Sequence, residues 1–174
     1  MKKLLLALTF CFGSFALLQA ESPVSQEKTD FHKELLKTVG SSTVKDKSIS
    51  KANIKEFKEK KYVFVYFSAH WCPPCRQFTP ELVKFYNANI DNGDFDLLFV
   101  SSDRDQSAMD GYMKETEMPW LGVKLGPKTD KLKKQYGSTG IPHLVLLDEN
   151  DKVIARGQGN VMQEYLKLTK AKKK

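Results

Sequence analysis

Apolar and polar positions along this chain switch repeatedly between a period near three and a half and unbroken apolar runs. Phe31, Leu35, Leu36 and Val39 recur at helical spacing and stop at Gly40, which predicts a short helix with a glycine end. SSTVKDKSIS, residues 41–50, reads as a turn-rich connector holding one short strand, and SKANIKEFKEK after it as a second short amphipathic helix. YVFVYF, residues 62–67, is apolar on both faces and rich in β-branched and aromatic side chains, the pattern of a central strand covered on both sides. From Pro73 the period turns helical, with Phe78, Leu82 and Phe85 along one face and Pro80 inside as an expected kink. FDLLFVSSD predicts another strand, DQSAMDGYMKET a helix, and KTDKLKKQYG a shorter helix ending at a glycine. HLVLLDENDKVIARG reads as two strands joined by a polar turn, hence an antiparallel hairpin, and MQEYLKLTK as a closing helix. Strands alternate with helices until a hairpin ends the series, so the order predicts a three-layer α/β domain with a mixed sheet.

The 174 residues suffice for one domain with a real core and fall short of two comfortable ones. Residues 1–20 carry Lys2 and Lys3, an apolar run from Leu4 to Leu18 and the small Ala20, the layout of a cleaved secretory signal. As a membrane anchor that run falls below the roughly 20 apolar residues of a spanning helix. Cys11 is expected to leave with the signal. Residues 21–30 are polar and read as a flexible lead-in, residues 31–169 as the domain, and residues 170–174 as a basic, solvated tail. Loss of the leader takes two lysines and no acid, so the formal charge falls from +7 to +5. Four of the remaining positives sit in the tail, which leaves the body near neutral. No basic stripe with interleaved aromatics points to nucleic acid.

The body keeps two cysteines, Cys72 and Cys75, two residues apart. Structural zinc needs four ligands, and His32, His70 and His143 are scattered around a lone Cys-x-x-Cys, so no metal is expected. A purely structural disulfide over so small a loop would constrain the unfolded chain least. Redox chemistry fits the position better. Cys72 falls where a buried strand ends and a helix begins, so free backbone N–H groups and the helix dipole favour its thiolate. Cys72 is therefore the candidate nucleophile and Cys75, one turn further in, the candidate resolving thiol. Pro73 and Pro74 fit the first helical turn and stiffen this active-site loop. Arg76 and a protonated His70 either add positive charge nearby or are plain surface residues.

FSAHWCPPCRQFTPELVKFY resembles the active-site segment of the thioredoxin superfamily, in its tryparedoxin and nucleoredoxin branch with Trp-Cys-Pro-Pro-Cys, and the likeness extends over about residues 31–160. Pro80 matches the kink proline of that helix, EMPWLGV resembles the branch's Met-Pro-Trp segment, and GIPHLVLLD resembles the superfamily's Ile-Pro loop. The resemblance implies a thioredoxin-like α/β/α sandwich and a cis peptide before Pro142 beside the Cys pair. It also implies substrate binding by Trp71, at the rim of the reactive sulfur, and by Ile141 and Pro142, through backbone. Trp120 and Tyr112 are assigned to the core. Where thioredoxin carries a buried acid six residues before the first Cys, this chain has Tyr66, so the proton acceptor for Cys75 is left open.

The expectation is a thiol:disulfide oxidoreductase with no cofactor beyond the Cys72–Cys75 disulfide, more readily a reductant of protein or small-molecule disulfides and recharged by a thiol donor. The leader places it in the periplasm, or else outside a secreting cell, with no stable membrane anchor. A disulfide-donating oxidant or isomerase, a noncatalytic binding module and, more distantly, a peroxidase are the rival readings.

Overall fold

The computed structural model describes residues 32–39, 43–45, 50–51, 57, 59–137 and 139–172. The leader, the lead-in, Phe31, Gly40 and the last two lysines lie outside them. In chain order the elements are α1 (Lys33–Val39), β1 (Thr43–Lys45), β2 (Ser50–Lys51), β3 (Tyr62–Ser68), α2 (Pro73–Asn89), β4 (Phe95–Ser101), α3 (Gln106–Glu115), β5 (Leu121–Val123), α4 (Pro127–Tyr136), β6 (His143–Leu147), β7 (Val153–Arg156) and α5 (Gln158–Lys172).

Among the described residues the strands form one sheet in the order β2-β1-β5-β4-β3-β6-β7. β3, β4 and β5 run parallel through the α2 and α3 crossovers, and the outer pairings are antiparallel. The sheet is therefore mixed, as expected. β3 and β4 are buried at every position because helices cover both faces. One face buries Tyr66, Phe64 and Phe99 against α2, α3 and α5 through Leu82, Tyr112 and Tyr165. The other buries Val63, Val65 and Val100 against α1 and α4 through Leu35 and Leu132. Period 2 along β3 thus sends its rings to one side and its valines, with Phe67, to the other.

Three expectations need correction. Ser50 and Lys51, placed at the start of a helix, pair with β1 as an edge strand, whereas residues 52–56 lie outside the described ones. Leu121–Val123 forms a strand that the sequence did not reveal, held between β4 and β1. The closing helix begins at Gln158 and continues through Lys170 to Lys172, into the segment assigned to the tail. Lysine is a good helix former, so charge alone did not end that helix. Pro80 lies inside α2 as anticipated.

Candidate functional site

β3 is a central parallel strand, and its C-terminal end delivers the chain to the mouth of the sheet, where open α/β sheets place their sites. There Cys72 is the N-cap residue of α2, in extended backbone, with Pro73 and Pro74 in the first turn. Proline suits those positions because the N–H groups of the first turn have no helical acceptor. Cys72 and Cys75 are joined as a disulfide. The Cys75 N–H donates to Cys72 Sγ at 3.3 Å, so the nucleophile candidate already receives a helix N-terminal hydrogen bond. Cys75 is fully buried and Cys72 nearly so.

The other site residues gather around this pair. The Ile141–Pro142 peptide is cis, and the Ile141 carbonyl oxygen lies 3.7 Å from Cys72 Sγ. Pro142 is one residue removed from the pair, and its carbonyl accepts from Gln158 Nε2 of α5 at 3.0 Å. Trp71 is 62% exposed, the most open large apolar side chain among the described residues, yet its Nε1 donates to the Ser102 carbonyl at 3.1 Å. One hydrogen bond therefore fixes an aromatic plane in solvent beside the sulfur. An open cleft of about 520 Å³ runs between Trp71 and Ile141, with Cys72, Pro73 and Pro74 in its floor. Trp120 and Tyr112 are buried in the core, as assigned.

His70 and Arg76, read as either nearby positive charge or plain surface residues, are both tied to one acid. Both reach the same carboxylate, His70 Nε2 at 2.8 Å from Glu115 Oε2 and Arg76 Nη2 at 3.1 Å from Glu115 Oε1. Glu115 ends α3, so this carboxylate bridges the active-site turn to the neighbouring helix. His70 also stacks on Tyr112, with ring centroids 5.5 Å apart.

Three further residues shape the site without having been singled out in the sequence. Buried Asp103 accepts from the His70 backbone N–H at 2.9 Å and from the Ser101 hydroxyl at 2.7 Å, pinning the turn that leads into Cys72. The signal for it was its place just after β4, beside the end of β3. Thr79, one turn after Cys75, donates its hydroxyl proton to the Cys75 carbonyl at 2.9 Å. Glu115 had no local signal. Where a buried acid would stand, Tyr66 is an uncharged phenol. Burial, and Tyr112 second, push its ionisation well above the ordinary range. Among the described residues no cluster of His, Cys, Asp or Glu could hold a metal ion.

Residues 59–153 match the family described as thioredoxin-like. Nucleoredoxin of Mus musculus is 46% identical over 109 residues, which are 59% of this chain and 24% of that protein. The chain spans between 17% and 27% of the length of the plant and vertebrate nucleoredoxins it matches. Among solved structures, thioredoxin from Wuchereria bancrofti matches with a TM-score of 0.62 and 34% identity, over 76% of this chain and 96% of that one. Tryparedoxin II complexed with glutathionylspermidine matches with a TM-score of 0.63 and 29% identity, over 79% and 94%.

Proposed function

This chain belongs to the thioredoxin-like family, and we propose that it is a thiol:disulfide oxidoreductase that reduces substrate disulfides through Cys72 and Cys75. The observation that carries the reading is the Cys72–Cys75 disulfide on the helix N-cap, with the Cys75 N–H aimed at Cys72 Sγ. In the reduced protein the Cys72 thiolate attacks a substrate disulfide, forms a mixed disulfide and releases one substrate thiolate. Cys75 then attacks Cys72 Sγ, the protein disulfide forms, the second substrate thiolate leaves, and the Cys75 proton ends on a leaving thiolate or in solvent. The substrate gains two electrons and the Cys pair loses them. A thiol or dithiol donor must reduce the pair again.

Trp71, Ile141 and Pro142 form the substrate-binding rim, with Pro73 and Pro74 keeping the loop stiff. The fixed indole on one side of the cleft and the Ile141 carbonyl on the other support that assignment. An extended segment carrying a disulfide, or a small disulfide, fits an open cleft of this kind, and a solved relative is complexed with glutathionylspermidine. The charged, apolar and small-residue layout of residues 1–20 supports export, with the periplasm as the place of work.

In dithiol-driven insulin reduction, Cys72→Ser should abolish turnover, while Cys75→Ser should halt at a mixed disulfide through Cys72. Persistence of activity in Cys72→Ser sinks the mechanism, and failure of Cys75→Ser to trap any disulfide substrate favours binding without exchange. A reduction potential near the roughly −270 mV of thioredoxin supports the reducing direction. A much higher value reverses it to a donor of disulfides.

A further inference from the structure

Among the described residues, a set of buried hydroxyl groups is linked behind the Cys pair. Tyr66 OH lies 2.8 Å from Thr79 Oγ1, Tyr112 OH 2.6 Å from the same oxygen, and Ser68 Oγ 3.3 Å from Tyr112 OH. All four residues are fully buried. Proton counting settles the directions. A carbonyl only accepts, so Thr79 gives its one hydroxyl proton to Cys75 O, and both tyrosines must then donate to Thr79. Tyr112 has spent its proton and receives one from Ser68. Thr79 Oγ1 is saturated, with one bond given and two received, and the network ends on the main chain of Cys75.

That end point matters because prolines remove main-chain hydrogen bonds from the start of α2. Pro73 and Pro74 bring no N–H, and Pro80 cannot donate to the carbonyl of Arg76 in the following turn. In the reduced protein and in the mixed disulfide the Cys72–Cys75 bond is absent, so no covalent tie holds the two sulfurs together. Helix geometry then sets Thr79 directly below Cys75, at i+4 on the same face. We propose that Thr79, gripped by Tyr66 of β3 and Tyr112 of α3, is a positioning residue for the resolving step, holding Cys75 where it can attack the mixed disulfide on Cys72. This rests on the dithiol reading above and adds which buried group serves the second half of it. Cys72, which lines the cleft, makes its own attack before the network is called upon.

The test follows both steps in the full chain, carrying Cys11→Ser so that only the pair reacts. The reduced protein is mixed with the aromatic disulfide dithiobis(2-nitrobenzoate). Attack by Cys72 releases one coloured thiolate, and resolution by Cys75 releases a second. Thr79→Val keeps the shape and removes the hydroxyl, and the second phase should slow roughly three- to tenfold, the kinetic equivalent of one buried hydrogen bond. The first phase should keep the parent rate, and Thr79→Ser should restore the second. A second phase at the parent rate in Thr79→Val overturns the proposal, as does equal slowing of both phases. If Thr79→Val does not fold, Tyr112→Phe decides: it removes one donor to Thr79, and a slowed second phase supports the proposal whereas a parent rate overturns it. Cys75→Ser separates the two readings, because release of the second thiolate in that variant refutes the dithiol mechanism itself.

Discussion

Histidine 143 is a single residue whose setting makes a pH-dependent contribution to stability. It opens β6, and burial, with the Arg156 guanidinium second, holds its imidazole below the ordinary value of about 6.5. Its buried Nε2 has no hydrogen-bond partner among the described residues. The unfolded chain therefore takes up a proton at a pH where the folded one does not. The stability contributed by the neutral ring is complete above about pH 6.5 and is lost as the pH falls from there through the lowered folded value. Thermal melts from about pH 8 to pH 5 should show a loss of stability in the parent that is smaller in His143→Leu. Cys72 and Cys75 were legible at this scale because their chemistry is carried by residue type and local spacing, whereas the cis bond before Pro142 was expected only from the family resemblance. Thr79, Asp103 and Glu115 were not legible. Each acts on the site from another turn or element, across 2.9 Å to the Cys75 carbonyl, 2.9 Å to the His70 N–H and 2.8 Å to the His70 ring.

Helix α3 shows how an element away from the cysteines braces them. Its Tyr112 enters the hydroxyl network from inside, and its Glu115 holds His70 and Arg76 from outside. The helix can sit so close because it crosses β5 at Gly122, where an added Cβ would stand 2.5 Å from Met109 Cε and 2.8 Å from Met113 Sδ. Gly122→Val should cost about 1–3 kcal/mol in urea unfolding. Gly122→Ala should cost less, because methionine ends can shift. A cost as small for valine as for alanine would show that α3 has room to move. β5 itself was missed in the sequence for a related reason. A three-residue strand with a central glycine has little propensity of its own and exists because β4 and β1 supply its hydrogen bonds.

Across the whole molecule, α1 is tied to the far end of the chain by a buried clasp. His32 Nδ1 meets Asp151 Oδ1 at 2.9 Å, His32 Nε2 meets the Lys60 carbonyl at 3.0 Å, and Asp151 Oδ2 accepts the Glu34 and Leu35 N–H groups, each at 3.0 Å. One carboxylate in the β6–β7 turn thus caps α1 and fixes His32. Asp151→Ala leaves these donors buried or unmatched and should lower unfolding free energy by about 2–3 kcal/mol, with α1 the first segment to lose amide-exchange protection. Uniform loss of protection would instead make the clasp part of one cooperative unit. By itself the sequence determined the alternation of strand and helix, the two-sided burial of β3 and the redox pair at its end, since periodicity and residue chemistry are local. Only the tertiary structure decided the strand order and the edge pairing of Ser50 and Lys51. The same holds for the sharing of Glu115 between His70 and Arg76 and for the neutral hydroxyl network in place of a buried acid. Those features depend on which distant residues are packed within hydrogen-bonding distance, and spacing along one chain carries no record of that.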